Sequence, residues 1–418
     1  MSFASTRLKR VARVVAGQAP SSDAVSDNGA MPFIQGCAEF GASNPQADKF
    51  CDHAPKRADK GDWLISVRAP VGRLNIADQR YGIGRGLAAV KPERINGRFL
   101  GYAITHAAPK LSGVATGSTY EAVSGSDIGN MLVPLPDLDT QKAIADFLDK
   151  ETARIDQLIE KKQRLVELLG ERELNQVSLL VSGRVDHAVQ LVPSGLSWLP
   201  EIPVHWSREK GMRIGAIIGS SQGAEVEAEV PGTIPYLKVS DLLDFDGRKV
   251  ERTNSSLVPS GEVVSRGPTI VFPKRGAAIF TNKASLIEGR FALDPNLMGW
   301  SMRPGFAAEY YLAVLKCRRL DDLADVSTVP QINNKHIYPQ WFPKPPLNEQ
   351  HSIARRLQSL QGPFASIRSR IFISIDRLKE YRSALITAAV TGQIDVTRWG
   401  QTGEGDKRLD QIQEEMAG

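Results

Sequence analysis

The sequence contains little cysteine and no long apolar segment. Its three cysteines, Cys37, Cys51 and Cys317, form an odd and sparse set among 418 residues, which is typical of a reducing compartment without a disulfide framework. No uncharged apolar run approaches the ~20 residues that a bilayer-spanning helix requires. The N-terminal segment MSFASTRLKRVARVVAG has basic residues but lacks the apolar core of a signal peptide. We therefore predict a cytoplasmic location and no membrane partner.

Several catalytic motifs are also missing. The phosphate-binding loop of nucleotide hydrolases needs a Gly-Lys dipeptide, and the chain has none. Adenine amino-methyltransferases need an Asn/Asp-Pro-Pro-aromatic loop, whereas the only Pro-Pro pair, Pro345-Pro346, is followed by Leu347. The six histidines form neither a catalytic triad pattern nor an H-E-x-x-H pair. These absences favour a non-catalytic protein.

Two further patterns match known binding motifs only in part. GIGRG (82–86) lacks the G-x-G-x-x-G spacing of a dinucleotide site, so we interpret it as a turn at a strand edge. Cys37, Cys51 and His53 could supply three metal ligands, but they lack a paired C-x-x-C spacing and a fourth partner nearby. We predict no metal site.

The composition is that of an ordinary globular protein with a small positive surplus. Apolar residues make up 42% and charged residues 24% of a chain that is long enough for two or three domains. The formal net charge is +5 and the sequence pI is about 9.0. The surplus lies outside the helical segments described next, and it is a weak indication of a nucleic-acid partner.

The sequence of one helix entrance occurs twice in the chain. PDLDTQKAIADFL (136–148) and PPLNEQHSIARRL (345–357) lie 209 positions apart, and VSGRVD (181–186) falls on VTGQID (390–395) at the same offset without a gap. A constant register of this length indicates a duplicated unit. The preceding segments match more loosely. Each half therefore consists of a divergent N-terminal segment, which we call the front, followed by a segment shared between the halves, which we call the back.

The shared back predicts a long helix in each half. Asp139 and Asn348 are candidate N-caps, and Gly183 and Gly392 are candidate left-handed residues at the C-terminal ends. About 43 residues lie between cap and stop, which corresponds to roughly 65 Å of helix. A seven-residue spacing runs through both helices, along Leu148, Glu151, Ile155, Leu158, Lys162, Leu165, Leu169, Arg172, Gln176 and Leu179 in the first and along Leu357, Leu360, Phe364, Ile367, Ile371, Ser374, Leu378, Tyr381, Leu385 and Ala388 in the second.

This spacing favours an intramolecular coiled coil between the two helices. The alternative is a pair of amphipathic helices, each buried on its own domain, but ordinary helices average about 11–12 residues. If the helices run antiparallel, the chain has approximate two-fold symmetry, with a front at each end of a rod. Such an arrangement suits a two-fold target such as duplex DNA.

The divergent fronts are rich in Gly, Pro, Asn and Ser and contain short strand-like runs, namely PFIQG, DWLISVR, GLAAV, PYLKV, TIVFP and AAIFT. We predict a compact β-rich or α+β domain for each front and an ordered linker at 194–206 that opens the second. The predicted fold class is α+β, with two α/β domains separated by two long antiparallel helices in a pseudo-two-fold repeat. The predicted segment boundaries are 1–136, 137–189, 190–345, 346–395 and 396–418.

Several of these segments together resemble the specificity subunits of type I restriction–modification systems, over nearly the full length of the chain. The most specific are the two Pro…Gln-x-x-Ile-Ala-x-x-Leu helix entrances. Others are WLPEIPVHW (198–206), SVRAPVG (66–72) and GIGRGLAAV (82–90), together with the terminal SGRVD and TGQID. The ordered set, more than any single segment, carries the resemblance.

The resemblance implies a non-catalytic DNA-binding subunit. Target recognition domains at 1–136 and 190–345 would each read one half of a split duplex sequence. The long helices at 137–189 and 346–395 would set the spacer and dock two adenine-N6 methyltransferase (M) subunits, which motor–nuclease (R) subunits would join. S-adenosylmethionine, ATP and Mg²⁺ would then belong to those partners, and this chain would need no cofactor of its own.

Candidate base-reading residues come from loops that align between the two fronts. In the major groove, Arg and Lys suit guanine, whereas Asn and Gln suit adenine. The candidates in the first front are Gln35, Arg68, Ser118, Thr119 and Tyr120. Those in the second front are Lys238, Lys274, Arg275, Thr328, Gln331, Asn333, Asn334 and Lys335. Tyr120 departs from the Gln that is common in the family at this point. Turn formation, capping or a solvated charge is the alternative role for each candidate.

Three charged positions interrupt the apolar stripe of the first long helix. We predict that Glu151, Lys162 and Arg172 face a methyltransferase subunit instead of the second helix. Two other functions remain open from the sequence: a restriction or methylation enzyme with an unrecognised active site, and a coiled-coil scaffold without DNA specificity. Methyl transfer or cleavage by the isolated chain would indicate the first. Affinity that does not depend on DNA sequence once salt suppresses non-specific binding would indicate the second.

Overall fold

The computed structural model describes residues 3–111, 122–184, 189–227, 231, 233–243, 249–259, 267–325, 329–396, 398–399 and 407–412. The chain divides into two compact units. The first unit consists of Met1–Lys162 and Phe372–Gly418, and the second consists of Gln163–Ile371.

The first unit contains two four-stranded sheets and a two-stranded ribbon. Its strands are β1 (Ser5–Arg7), β2 (Ala12–Ala16), β3 (Pro32–Ile34), β4 (Lys49–Phe50), β5 (Arg57–Ala58), β6 (Trp63–Ser66), β7 (Leu74–Ile76), β8 (Tyr81–Ile83), β9 (Leu87–Pro92) and β10 (Leu132–Pro134). The strand order is β2-β9-β6-β7 in one sheet and β4-β3-β8-β5 in the other. Strands β1 and β10 form the first ribbon, and β3 and β8 are paired in parallel.

Side-chain alternation along the central strand β9 divides the core of this unit. Leu87 and Ala89 belong to one buried cluster, whereas Ala88 and Val90 belong to another. Successive strand residues point to opposite faces of a sheet, so a run of consecutive apolar residues indicates a strand that is covered on both sides. This explains why the predicted strand GLAAV is found as the centre of a sheet.

Two short helices of the first unit begin at side-chain caps. Helix α1 (Gly97–Ala107) follows Asn96, whose side-chain oxygen accepts hydrogen bonds from two backbone N–H groups of the first turn. Helix α2 (Gly125–Asn130) follows Ser124, which exchanges hydrogen bonds with Asp127 in a capping box. Both caps therefore fix where the chain leaves extended structure.

After β10 the chain enters the long helix α3 (Leu138–Val181), which has 44 residues. Asp137 caps it, because its carboxylate accepts hydrogen bonds from the backbone N–H and the hydroxyl of Thr140 at 2.9 and 2.8 Å. The predicted cap, Asp139, is therefore wrong by two residues. It lies in the first turn, where a negative charge still suits the helix dipole.

The second unit repeats one sheet of the first in full and three strands of the other. Its strands are β11 (Leu191–Leu196), β12 (Leu199–Pro203), β13 (Ser207–Lys210), β14 (Gly215–Ile218), β15 (Gly223–Glu227), β16 (Ile234–Leu237), β17 (Ser255–Pro259), β18 (Thr269–Pro273), β19 (Ser285–Ile287), β20 (Ala292–Leu293), β21 (Leu297–Met302) and β22 (Trp341–Lys344). The order β14-β21-β18-β19 matches β2-β9-β6-β7, and β17-β16-β20 matches β4-β3-β8. The fourth strand of the latter sheet differs, because β15 pairs with β17 whereas β5 pairs with β8. Strands β13 and β22 form the second ribbon, and β16 and β20 are the parallel pair.

The remaining helices of this unit are α4 (Gly211–Ile214), α5 (Ala308–Arg318) and α6 (Asn334–Ile337).

Two predictions about its loops are corrected or refined. AAIFT, predicted as a strand, is a 3-10 helix over Ala277–Thr281, which starts after Gly276 at φ 82°. The predicted ordered linker at 194–206 includes most of the antiparallel hairpin β11–β12.

The second long helix, α7 (Leu347–Val390), also has 44 residues. The backbone N–H groups of Glu349 and Gln350 both donate to the carbonyl oxygen of Pro346 at 3.0 Å, so the first turn opens at that proline. The predicted N-cap, Asn348, is therefore also wrong by two residues. A proline suits this position because the first N–H groups of a helix have no intrahelical partner.

Both long helices end in the predicted way. Gly183 and Gly392 have left-handed φ angles of 71° and 74°. In each case the next residue donates its N–H to a carbonyl five residues earlier, at 3.0 and 2.8 Å. This pattern is a Schellman motif, which favours glycine because a Cβ would be strained at positive φ.

Within each unit, parts of α3 and α7 pack against each other. In the first unit, Leu148 and Ile155 share a buried cluster with Leu378 and Leu385. In the second unit, the later α3 residues 177–181 share a buried cluster with the early α7 residues Ile353 and Leu357. Because early residues of one helix meet late residues of the other, the two helices are antiparallel. The predicted coiled-coil pairing is confirmed, and the alternative of two independently buried helices is wrong.

The apolar stripe of α3 differs in part from its prediction. Leu148, Ile155 and Lys162 are buried as the seven-residue spacing predicts. At the intervening positions, however, Thr152 and Glu173 are buried in place of their predicted neighbours, Glu151 and Arg172. Core positions of a coiled coil alternate in steps of three and four residues. The predicted series took a step of three residues after Leu148, whereas the buried positions begin with a step of four.

The stripe of α7 was predicted more accurately. Leu357, Phe364, Ile371, Ser374, Leu378 and Leu385 are all buried. Leu360, Tyr381 and Ala388 are half-buried, and Ile367 is exposed over 41% of its surface. No helix within the described ranges is both long enough and apolar enough to cross a bilayer.

Candidate nucleic-acid interface

The predicted reader Gln35 lies directly after β3, against the turn that joins β8 to β9. The N–H of Gly84 donates to the carbonyl of Ile34 at 2.8 Å, and the N–H of Gly86 donates to the carbonyl of Gln35 at 3.0 Å. A Cβ on Gly84 or Gly86 would come within 2.6 or 2.5 Å of Gln35 atoms. The two glycines are therefore needed for close backbone approach. The prediction that GIGRG is a turn at a strand edge is confirmed.

Arg68 is held beside the same turn. It follows Val67, whose N–H donates to the carbonyl of Gly86 at 2.9 Å. The N–H of Val123 in turn donates to the carbonyl of Val67 at 2.9 Å, and Arg68 forms an isolated antiparallel bridge with Ala122. Three separate segments thus meet at one edge of the first unit, and the Arg68 side chain is exposed there.

The second unit has the same arrangement around Lys238, which directly follows β16. The N–H of Asp294 donates to the carbonyl of Leu237 at 3.0 Å, and the N–H of Lys274 donates to the carbonyl of Asn296 at 2.7 Å. These bonds correspond one for one to those made by Gly84 and Val67 in the first unit. Lys238 therefore occupies the position of Gln35, as predicted from the sequence.

The third segment also corresponds. The N–H of Ile332 donates to the carbonyl of Lys274 at 2.8 Å, and Arg275 forms an isolated antiparallel bridge with Gln331. Arg275 is therefore the structural equivalent of Arg68, which the sequence had aligned with Lys274 and Arg275 together. We call this arrangement the turn site: residues 34–35, 67–68, 84–86 and 122–123 in the first unit, and 237–238, 274–275, 294–296 and 331–332 in the second.

The side chains of the second turn site carry positive charge in fixed positions. The Nε of Arg275 donates to Oδ1 of Asn296 at 2.8 Å, while the residue as a whole is exposed. Lys238 forms an ion pair with Glu225, and its Nζ lies 5.8 Å from the ring centre of Tyr236. The hydrogen bond to Glu225 raises the pKa of Lys238, so this residue remains a cation at neutral pH.

Three predicted readers lie on or beside the short helix α6. Asn333 caps this helix, because its side-chain oxygen accepts from the N–H of Lys335 at 3.1 Å. The neighbouring Asn334 is exposed. Lys335 forms an ion pair with Asp325 at 2.7 Å, which lowers the pKa of that carboxyl group. Asn333 therefore has a structural role, equivalent to that of Ser124 in α2.

Four predicted readers lie outside the described residues: Ser118, Thr119, Tyr120 and Thr328.

The three predicted docking residues of α3 differ in exposure. Lys162 is buried, with 7% of its surface exposed, and burial lowers the pKa of its ammonium group. Glu151 is half-buried and Arg172 is exposed. The three therefore do not form one uniformly exposed surface.

Two glutamines in the helix entrances have a buried structural role that was not predicted from the sequence. Gln141 is 1% exposed; its Oε1 accepts from the N–H of Asn96 and its Nε2 donates to the carbonyl of Pro136, both at 2.8 Å. Gln350 makes the same pair of bonds, accepting from the N–H of Ala307 at 2.8 Å and donating to the carbonyl of Pro345 at 2.9 Å. Each glutamine thus ties a long helix to the residue that caps a shorter one. The repeated Gln-x-x-Ile-Ala spacing was the available signal.

Metal ligands are not clustered in the part of the chain that the structure describes. No three His, Cys, Asp or Glu residues there lie close enough to hold an ion. Cys51 is buried, and Cys37 and Cys317 are half-buried free thiols.

Comparison with known proteins is consistent with this architecture. Residues 2–168 match the family described as the type I restriction modification DNA specificity domain. The type I restriction enzyme MjaX specificity subunit of Methanocaldococcus jannaschii is 36% identical over 176 residues, which are 41% of this chain and 40% of that protein. The type I restriction enzyme EcoDI specificity subunit of Escherichia coli is 20% identical over 390 residues, covering 89% of this chain and 84% of that protein.

A solved structure extends the comparison to the fold. It comes from work on complex assembly and conformational transition of the type I R-M system, and it covers 94% of this chain and 98% of its own, with a TM-score of 0.63 at 16% identity. At this identity the likeness shows the fold alone. The match to the M. jannaschii protein spans less than half of that relative's length. The resemblance to type I restriction–modification specificity subunits is thus confirmed, and over residues 2–168 the chain matches the model of the type I restriction modification DNA specificity domain.

Proposed function

We propose that this chain is the sequence-specific DNA-binding specificity subunit of a type I restriction–modification complex, in which each unit reads one half of a bipartite target. The turn site is the observation that carries the proposal. Both units build it from three equivalent main-chain hydrogen bonds and the same isolated bridge, yet fill it with different side chains. A fixed frame with exchangeable side chains is what two independent readers require.

The exchanged residues have the chemistry of base recognition. Gln35 in the first turn site corresponds to Lys238 in the second, and Ala122 corresponds to Gln331. Arginine is present in both, as Arg68 and Arg275. A glutamine suits adenine and a lysine or arginine suits guanine in the major groove, and each good bidentate pair contributes about 1–3 kcal/mol of discrimination. The two turn sites would therefore prefer different bases.

The chemistry of methylation and cleavage would belong to other subunits. Both curated relatives are described as specificity subunits, which supports a non-catalytic role. We propose two adenine-N6 methyltransferase subunits and motor–nuclease subunits as partners, with S-adenosylmethionine, ATP and Mg²⁺ bound by them. Among the predicted docking residues, Glu151 and Arg172 are the two that a partner could contact, because Lys162 is buried.

The methylome of the host, with and without this gene, tests the proposal. We expect N6-methyladenine to disappear at one bipartite motif when the gene is deleted. A chain carrying Arg275→Ala should restore methylation with relaxed sequence preference in one half of that motif. Arg213→Ala is the matched control, since Arg213 is an exposed arginine of the same unit outside the turn site. An unchanged methylome on deletion would contradict the proposal.

A further inference from the structure

The second ribbon carries an exposed tryptophan between two cations. In the pairing of β13 with β22, Lys210 stands opposite Trp341, and Arg208 stands opposite Pro343. The Arg208 guanidinium carbon lies 5.8 Å and the Lys210 Nζ lies 5.4 Å from the ring centre of Trp341, which is 44% exposed. A cation over an indole face is attracted by the ring's negative quadrupole, so Trp341 holds both cations on one face of the ribbon.

The first ribbon has the same design with a different apolar residue. Arg7 of β1 stands opposite Leu132 of β10, and Leu132 is 59% exposed. Arg7 corresponds to Lys210, and Leu132 corresponds to Trp341 at the repeat offset of 209. Long cationic side chains lay their apolar stems on neighbouring apolar surface and keep the charge in water. Support of a cationic side chain therefore explains the exposed apolar residue in both ribbons.

These cations are largely without neutralising carboxylates. Arg7 of the first ribbon is exposed, as are Lys9 and Arg10 in the 3-10 helix Leu8–Arg10 that directly follows β1, and none of the three forms an ion pair with any residue in the described ranges. In the second ribbon, Arg208 donates to the carbonyl oxygen of Ser194 at 2.8 Å, and Lys210 likewise has no carboxylate partner within the described part of the chain. The charge in both ribbons thus remains available to an external anion.

The acidic residue of the second ribbon lies on its other face. Glu209 stands between Arg208 and Lys210, and alternate residues of a strand point to opposite sides. It is mostly buried and pairs with Lys344 at 3.4 Å and with Arg213 at 3.5 Å. The face with Trp341 is therefore positive.

We propose that the two ribbons are sequence-independent DNA contacts, one for each unit, in which these cations bind phosphates of the duplex backbone. The inference rests on the proposed DNA-binding function and adds a surface distinct from the turn site. Charge complementarity identifies the occupant, because duplex DNA presents closely spaced phosphates to cations that are already held in place. The ribbons fix the position of each unit on DNA, and the turn sites select the sequence.

The test uses the full-length chain and two short duplexes of equal length, one with the target motif and one with that motif scrambled. Binding is measured by fluorescence anisotropy between about 50 and 200 mM salt. Arg208→Gln/Lys210→Gln should weaken binding to both duplexes by the same factor and lower the salt slope by about 0.9 per lost contact, hence by roughly 1.8. Lys210→Arg alone should retain the slope. The control, Arg303→Gln/Arg356→Gln, removes the same charge from exposed positions of this unit outside the ribbon and should leave the slope unchanged.

Four outcomes would overturn the inference. An unchanged slope in the double variant, with the preference for the target retained, would overturn the ribbon contact alone. A changed ratio between target and scrambled duplex would make the ribbon a base reader. Unchanged DNA binding with lost co-purification of a methyltransferase subunit would assign the surface to a protein partner. An unsubstituted chain that binds neither duplex would overturn the proposed function as well. Because the ribbon residues are exposed, we expect the far-UV circular dichroism spectra and the unfolding midpoints of all variants to match those of the unsubstituted chain.

Discussion

Gln141 accepts a hydrogen bond from the backbone N–H of Asn96 at 2.8 Å, across 45 positions of the sequence. The same relationship joins Gln350 and Ala307 in the second unit. Each buried glutamine also donates to a proline carbonyl at the helix entrance. The entrance to each long helix is therefore fixed to the domain that precedes it by a polar contact that excludes water.

Replacing either glutamine by leucine should destabilise its own unit. Gln141→Leu leaves the Asn96 N–H and the Pro136 carbonyl without their partner, and an unsatisfied buried polar group costs about 1–3 kcal/mol. Urea unfolding should show this loss for Gln141→Leu and for Gln350→Leu. Gln358→Leu is the control, because Gln358 is exposed on α7 and should change stability by less than about 0.5 kcal/mol. Equal stabilities of all three variants would refute the structural role of the buried pair.

Two ion pairs between α3 and α7 should differ strongly in their contribution to stability. Glu173 is 2% exposed and contacts both Lys316, at 3.0 Å, and Arg368. Glu173→Gln removes a buried charge from its partners, which typically costs about 3–5 kcal/mol. Asp156 pairs with Arg382 at 2.9 Å, but both side chains are solvated, with 52% and 34% exposure. Asp156→Asn should therefore cost only about 0.2–1 kcal/mol. Guanidinium unfolding of the two variants checks the order, and a reversed order would contradict this view of the helix pair.

Cys317 should be the less reactive of the two half-buried thiols. Burial raises the pKa of Cys317 from 9.0 to about 12, so its thiolate is scarce at pH 8. Alkylation by iodoacetamide, followed by mass spectrometry, should modify Cys37 well before Cys317. Because the raised pKa belongs to the folded state, the stability that it contributes is present below pH 9 and is lost as the pH rises toward 12. Faster labelling of Cys317 than of Cys37 in the folded protein would contradict this assignment.

The internal repeat made the two long helices predictable from the sequence. The divergence of the loops made most of the turn site unpredictable. The constant offset predicted both helix entrances, and glycine's tolerance of positive φ predicted the ends at Gly183 and Gly392. The caps were misplaced because Asp137 and Asp139 are both good cap residues and only the fold decides between them. AAIFT has the composition of a strand, but its position after Gly276 at φ 82° turns the chain into a 3-10 helix.

The turn site illustrates what a single sequence cannot supply. Gln35 and Lys238 were aligned because both follow similar apolar strands. The correspondence of Arg68 with Arg275, and not with Lys274, depends on backbone hydrogen bonds that carry no residue-type signal. The buried role of Gln141 and Gln350 was hidden for a similar reason: a glutamine in a helix entrance has the same composition whether it faces solvent or a distant N–H group.

The two arginines of the turn sites should act on different halves of the target. Arg68→Ala should relax sequence preference in one half-site, and Arg275→Ala should relax it in the other, each by about 1–3 kcal/mol, because each belongs to its own unit. Competition binding with duplexes altered in one half-site measures the effect. A double variant should show both losses. If either single variant relaxed both half-sites equally, the units would not be independent readers.

The proposed function depends most directly on the independence of the two readers, and exchange of one front tests it. Residues 190–345 would be replaced by the matching segment of a relative with a different target, and the host methylome would be sequenced. We expect N6-methyladenine at a hybrid motif in which one half is unchanged and the other is that of the donor. A motif changed in both halves, with the fold and partner assembly intact, would contradict the central claim.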